Sequence, residues 1–343
     1  MPKRGPDPGA QGPGGAARAV PHGSVLVLGG AGYVGRHVCA AFAAQNRDVV
    51  VVGRRPPEEP MPYRCVTLDL AGGDPAALAA ALDAARPGTI VNAVGSIWGR
   101  TDEQMWSATA VPTLRLLEAL ALMTTRPRLV HLGSVLEYGP VRPGSSVGAD
   151  AEPRPDTAYG RSKLAASEAV LRGTAGGWVD GVVLRVSNVS GPGTPWISLL
   201  GQVAQRLLAG PSGGPEAVVE LSRLHAHRDY VDVRDVADAV VAAACAPAVP
   251  VAVGIGRGEV VAVRDLVDLL IEASGIPARV VERPAADREA GLRHDWLRVD
   301  IGAARSLLGW EPRRSLQESV RDCWNALVRA HRPPPTLSKP SGG

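Results

Sequence analysis

The sequence predicts an α/β protein: a doubly wound, mostly parallel sheet with a smaller C-terminal lobe beside it. Short Val/Leu/Ile-rich runs alternate with helical stretches up to about residue 188, the pattern of consecutive βα units. The first run leads directly into a glycine cluster and then a helix. Asn92, Ser134 and Asn188 each fall just past the end of a predicted strand, where ligands of such sheets bind. Aromatic residues make up only 4% of the chain, so the core must be Ala, Val and Leu, which suits a sheet buried on both faces.

The elements follow in order. Val25–Leu28 reads as a buried strand, then glycines, then a helix beginning at Tyr33-Val34-Gly35. Val49–Val52 is a second strand ended by Gly53, and Cys65–Leu68 a third. Asp74-Pro75 opens a helix with an acidic cap and proline in the first turn. Thr89–Val91 is a fourth strand, and a helix from about 103 to 124 follows, interrupted by Pro112. Leu129–Leu132 is a fifth strand, 157–172 a helix, and Val182–Val186 a sixth strand. Residues 190–230 are rich in Gly, Pro and short apolar runs; a helix at 233–245, a strand at 251–255 and a helix at 263–274 come after them. The expected division is a disordered tail at 1–22, a main domain at 23–188 plus 230–256, a lobe at 189–229 and 257–330, and a flexible tail at 331–343.

Composition excludes several classes. No apolar run reaches the roughly 18 residues of a membrane span, and no signal-peptide pattern opens the chain. A formal charge of +3 is too small and dispersed for a nucleic-acid binder. Four scattered cysteines lack metal-like or disulfide-like spacing, so a reducing, cytoplasmic setting is expected. His225-x-His227 has no third ligand in view and reads as a polar loop lining the cleft, and no metal is expected.

The segment Gly29-Gly30-Ala31-Gly32-Tyr33-Val34-Gly35 contains G-x-G-x-x-G between a strand and a helix, the context a dinucleotide pyrophosphate requires. The second strand ends in Gly53-Arg54-Arg55, with no acid to hold the ribose 2′-OH of NAD. Two guanidiniums suit a 2′-phosphate, so the expected cofactor is NADP(H). Asp69, followed by Leu70, can meet the adenine amino group or cap a turn. Ala93 and Val94, past the fourth strand, complete the expected cofactor wall.

Among 37 basic residues only three are lysine, and Lys163 alone lies away from the ends. Tyr159 stands four residues before it, on the same helical face. A compact ammonium beside a phenol points to redox chemistry at a carbonyl, with the cation expected to lower the phenol's ordinary pKa of about 10. Ser134 is placed to bond the carbonyl oxygen, and Tyr159 to exchange its proton.

These motifs resemble the extended short-chain dehydrogenase/reductases of the NAD-dependent epimerase/dehydratase family. The resemblance runs from about Val25 to Trp324, through Ser134…Tyr138-Gly139, Tyr159-x-x-x-Lys163, Leu184-Arg185-x-x-Asn188, Arg228-Asp229-Tyr230-Val231 and Leu308-Gly309-Trp310-Glu311-Pro312. It implies a Rossmann sheet, a nucleotide-sugar substrate, a homodimer through the helices at 103–124 and 157–172, Asn188 and Arg228 at the substrate diphosphate, and Val186 near the carboxamide. Trp98 either stacks on the sugar or plugs the lobe interface. Dehydratases of the family carry Thr-Asp-Glu where this chain has Ser134-Val135-Leu136, and Glu137 comes one position late and is expected to point elsewhere. The chain looks most similar to dTDP-4-keto-6-deoxyhexose 4-ketoreductases of antibiotic-sugar biosynthesis. A 4-epimerase with tightly bound NAD is the alternative, and a non-catalytic NADP-binding protein a lesser one.

Overall fold

The computed structural model describes residues 23–210, 215–247, 251–283 and 295–331. The tails expected to be disordered lie outside the described residues, except for His331. The first half runs β1 (Ser24–Leu28), α1 (Tyr33–Ala43), β2 (Val49–Gly53), β3 (Arg64–Thr67), α2 (Pro75–Asp83), β4 (Pro87–Asn92), α3 (Asp102–Leu122) and β5 (Arg128–Ser134). A short 3₁₀ turn (Val135–Glu137) leads to α4 (Ala158–Ala175), β6 (Asp180–Val186), β7 (Asn188–Ser190), α5 (Leu199–Ala209), β8 (Ala217–Ser222), β9 (His227–Arg228) and β10 (Tyr230–Asp232). The remainder is α6 (Val233–Cys245), β11 (Ala252–Ile255), β12 (Val261–Ala262), α7 (Val263–Ser274), β13 (Ala278–Arg283), β14 (Trp296–Leu297), α8 (Gly302–Leu308) and α9 (Leu316–His331).

Seven strands form one sheet in the order β11-β6-β5-β4-β1-β2-β3, every pair parallel. This is the doubly wound order, and its direction reverses between β1 and β4. Side-chain alternation divides the core. Val25 and Val27 pack toward α1 and α6, while Leu26 and Leu28 pack toward α2 and α3. A third apolar core gathers Leu200 and Val203 of α5, Val219 of β8, Leu266 and Val267 of α7, and Val320 and Trp324 of α9. The strand β8 and helix α5 that build it lie in 190–230, where glycine and proline conceal the sequence pattern.

Local signals account for most boundaries. Asp74 caps α2, accepting from Ala77 N at 3.0 Å, as the Asp-Pro pair predicts. Thr157 caps α4 by accepting from Gly160 N at 3.0 Å. The predicted break at Pro112 does not occur: α3 runs through it with the proline buried. Thr113 Oγ1 donates to Thr109 O at 3.1 Å, bracing the turn the ring disturbs. The segment expected to lie wholly in the lobe also departs from expectation. Leu297, Val299, Ile301, Ala304 and Trp310 join the first core, and Trp310 Nε1 donates to Asp235 O at 3.0 Å. Their apolar side chains cover the face of β11 and α6 that would otherwise meet water. None of the described helices is long and apolar enough to cross a membrane.

Arg128, 1% exposed, is the largest fully buried side chain among the described residues. Its guanidinium donates to Asp180 Oδ1 (2.6 Å), Ala243 O (3.0 Å) and Pro247 O (3.0 Å), joining β5, β6 and the end of α6. Arg128→Met should cost about 3 kcal/mol, read as a lower denaturant midpoint with unchanged slope.

Candidate active site

The crevice opens past the ends of β1 and β4, where the strand order reverses. Gly29 turns there with φ +77, and a Cβ at Gly35 would stand 2.2 Å from Gly29 O. Positions 29 and 35 must therefore be bare backbone for the turn to pack against α1. Gly32 is the N-cap of α1, with no side-chain cap and no acid in the first turn. Free N–H groups and the positive end of the helix dipole are left facing the crevice, which fits a pyrophosphate. On the other wall, Asn92 shapes the loop after β4: its Oδ1 accepts from Val94 N (3.2 Å), and its Nδ2 donates to Thr113 Oγ1 (3.0 Å) and His131 Nδ1 (3.1 Å).

One cleft of about 570 Å³ joins most of the sequence-predicted residues: Gly29, Gly32, Tyr33, Val34, Gly35 and Ala93 on the cofactor side, with Ser134, Tyr159, Lys163 and Val186 at its floor. Asn188 and Trp98 also line it. Trp98 is 45% exposed there. Asn188 Nδ2 is held by Asp229 O at 3.0 Å.

The catalytic candidates sit where three elements end or begin. Ser134 closes β5, and its Oγ accepts from Leu136 N at 3.2 Å, which leaves its own proton to donate into the cleft. Tyr159 and Lys163 share one face of α4, with the ammonium 6.0 Å from the ring centre. Lys163, 4% exposed, donates to Val94 O (3.1 Å) and Leu132 O (2.8 Å), so two of its three N–H bonds are committed and one remains. Burial pulls its pKa down to about 8, partly offset by the Glu137 charge. The expected lowering of the Tyr159 pKa is not found in the chain by itself. Burial, and then the Glu137 charge, push the phenol above its ordinary value.

Other predicted residues are placed differently. Arg54 and Arg55 follow β2 in exposed positions outside the cleft wall, with no carboxylate paired to either among the described residues. Asp69 Oδ1 accepts from Ala71 N at 3.0 Å, which caps a turn. The Leu70 side chain enters the core below the sheet, and Val94 offers its backbone to Lys163. Arg228, on β9, is not among the residues lining the cleft, and its Nη1 donates to His227 O at 3.1 Å. The two histidines do not line the cleft as expected: His225 pairs with Asp295 (2.9 Å) and His227 stacks on Trp296. Glu137 points elsewhere, as the sequence reading expected, toward Arg185.

Several wall residues escaped sequence reasoning. Gly95 passes over the lysine so closely that a Cβ would lie 3.0 Å from Lys163 Nζ. Its signal was a glycine three residues after Asn92. Thr194, Pro195, Ser198, Tyr230 and Leu266 come from the third core's side. Nothing local marks them, because they reach the cleft only through the tertiary fold.

A bare glycine turn joined in one cleft to a serine and a Tyr–Lys pair is the architecture of a nicotinamide-dinucleotide enzyme. Residues 25–256 match the model of the NAD dependent epimerase/dehydratase family, and the chain belongs to that family. It is 47% identical over 306 residues to dTDP-6-deoxy-L-talose 4-dehydrogenase (NAD(P)(+)) of Kitasatospora kifunensis, covering 89% of this chain and 96% of that protein. It is 24% identical to GDP-6-deoxy-D-mannose reductase of Pseudomonas aeruginosa, covering 89% and 98%. Among solved structures, Thermus thermophilus UDP-glucose 4-epimerase in complex with NAD superposes with a TM-score of 0.78 at 23% identity, covering 90% and 99% of the two chains.

Two outcomes follow from the geometry. Gly35→Val should abolish dinucleotide binding measured by calorimetry, because the added atoms occupy the position of Gly29 O. Raising pH through about 8 removes the Lys163 charge. Dinucleotide affinity should therefore fall on the alkaline side, and Lys163→Met should flatten that dependence.

Proposed function

We propose that the chain reduces a nucleoside-diphosphate keto-deoxysugar with NADPH, acting at C4 of a dTDP-linked 4-keto-6-deoxyhexose. The observation that carries this reading is the cleft wall: among the described residues it contains Tyr159, Lys163 and Ser134 but no Asp, Glu or His. Dehydration needs a further acid and base at the sugar, and Glu137, the carboxylate that follows the Ser134 turn, is 0% exposed and turned to Arg185. The residues that remain suffice for carbonyl–alcohol exchange.

Bound NADPH would supply the hydride. Ser134 would donate a hydrogen bond to the carbonyl oxygen, Tyr159 would give that oxygen its proton, and Lys163 would hold the ribose with its remaining N–H. A phenol kept protonated by burial is a fitting donor for reduction. Oxidation at C4, the activity named for the Kitasatospora relative, is the same exchange run backwards. Arg54 and Arg55 support NADPH, since guanidiniums at the end of β2 match a 2′-phosphate. The sugar nucleotide would lie between the sheet and the third core, along Asn188, Ser198 and Tyr230. A homodimer through α3 and α4 is part of the reading, supported by Trp106 and Leu122 of α3, 43% and 57% exposed.

The test follows NADPH absorbance with dTDP-4-keto-6-deoxyglucose, and with NADH in parallel. Stoichiometric NADPH oxidation is expected. No oxidation, with nucleotide retained through purification, would favour an epimerase instead. Tyr159→Phe should lose about 10²-fold in turnover while still binding NADPH. Arg54→Asp should shift the NADPH-to-NADH efficiency ratio by tenfold or so toward NADH; an unchanged ratio would remove the 2′-phosphate assignment.

A further inference from the structure

Glu137 is fully buried beside the cleft, yet no part of it lines the cleft. Its two oxygens serve three elements. Oε1 accepts from the backbone N–H of Ser134 (2.8 Å) at the end of β5 and from Ser167 Oγ (2.8 Å) on α4. Oε2 accepts from Arg185 Nε (2.7 Å) on β6. Arg185 is itself 3% exposed, and its guanidinium lies 4.5 Å above the Tyr138 ring. The carboxylate reaches this position only because residue 133 is glycine: a Cβ there would stand 2.5 Å from Oε1 and 2.9 Å from Ser167 Oγ.

Tyr159, Lys163 and Ser167 follow one another at four-residue steps on α4, so they share a face. A tie at Ser167 therefore fixes the rotation and axial register of the face that carries the phenol and the ammonium. A tie at Ser134 N fixes the strand end that carries the hydroxyl. We propose that Glu137 is a positioning residue: one buried carboxylate, balanced by Arg185, holds Ser134 in register with Tyr159 and Lys163. This rests on the reading of those three as the reacting group.

The charge adds a second, electrostatic effect. Arg185 faces Glu137 from β6 with Tyr138 stacked on it, Tyr159 and Lys163 face it from α4, and His131 of β5, kept neutral by burial, faces Lys163. The Glu137 charge favours the protonated form of both Tyr159 and Lys163, the forms a proton donor and its cation need.

Two variants test this. Glu137→Met combined with Arg185→Met removes both charges together, the change a buried pair tolerates best. It should melt cooperatively and bind NADPH as the parent does, while kcat falls about 10²-fold with little change in KM. Glu137→Gln removes the charge but keeps the shape. In the NADP⁺-bound protein, the tyrosinate absorbance that disappears on Tyr159→Phe should titrate at lower pH in Glu137→Gln than in the parent, since a nearby anion has gone. Retained kcat in the double variant, or an unmoved Tyr159 midpoint in Glu137→Gln, overturns the inference. A parent protein that leaves the keto-sugar untouched would refute the reductase reading, and the titration would still decide the role of Glu137.

Discussion

No side chain fits at position 35. A single Cβ would lie within 2.2 Å of Gly29 O, so the turn after β1 and the start of α1 can be packed together only as bare backbone. That contact sets where α1 begins and how its N-terminus is aimed. It also fixes the distance between the turn and the loop after β4, because a Cβ on Gly29 would already stand 3.0 Å from Ala93 O. The crevice thus has rigid walls on both sides before any ligand is considered. Parallel strands then deliver Asn92, Ser134 and Val186 to the same edge of the sheet, since each strand ends on that side.

Below that edge, charge is handled by enclosure. Asp229, 0% exposed, accepts from Arg257 N (2.7 Å), Gly258 N (2.9 Å) and Val299 N (3.2 Å), and backbone donors take the place of a cation. Burial still raises its pKa, with those bonds opposing. Arg128 is satisfied by one carboxylate and two carbonyls. Lys163, in the cleft, likewise has backbone partners alone, here carbonyls, and burial pulls its pKa down.

Much of this was legible in the sequence because the signals are local. The glycine turn, the Asp74 cap and the Tyr159–Lys163 step each span a few residues, and each appears where the pattern puts it. What stayed hidden depends on partners far apart. Glu137 and Arg185 are 48 positions from each other and meet only because β5 and β6 lie side by side. Pro112 reads as a break because its ring is visible in sequence, whereas the Thr113 hydroxyl that braces the turn is not recognised until the helix exists. The segment Leu297–Trp310 looked like part of the lobe by order along the chain, but its apolar residues follow the nearest uncovered face.

Two side chains cross between the cofactor turn and the substrate side. Tyr33, the first residue of α1, bonds Thr194 Oγ1 at 3.1 Å, and His37, one helical turn later, bonds Pro192 O at 2.8 Å. The loop they grip continues into Pro195 and Ser198 on the cleft wall. The turn and that loop are therefore one mechanical piece. Should one ligand bind against the turn and another against the loop, any change the first makes in the second's apparent dissociation constant is returned by the same factor.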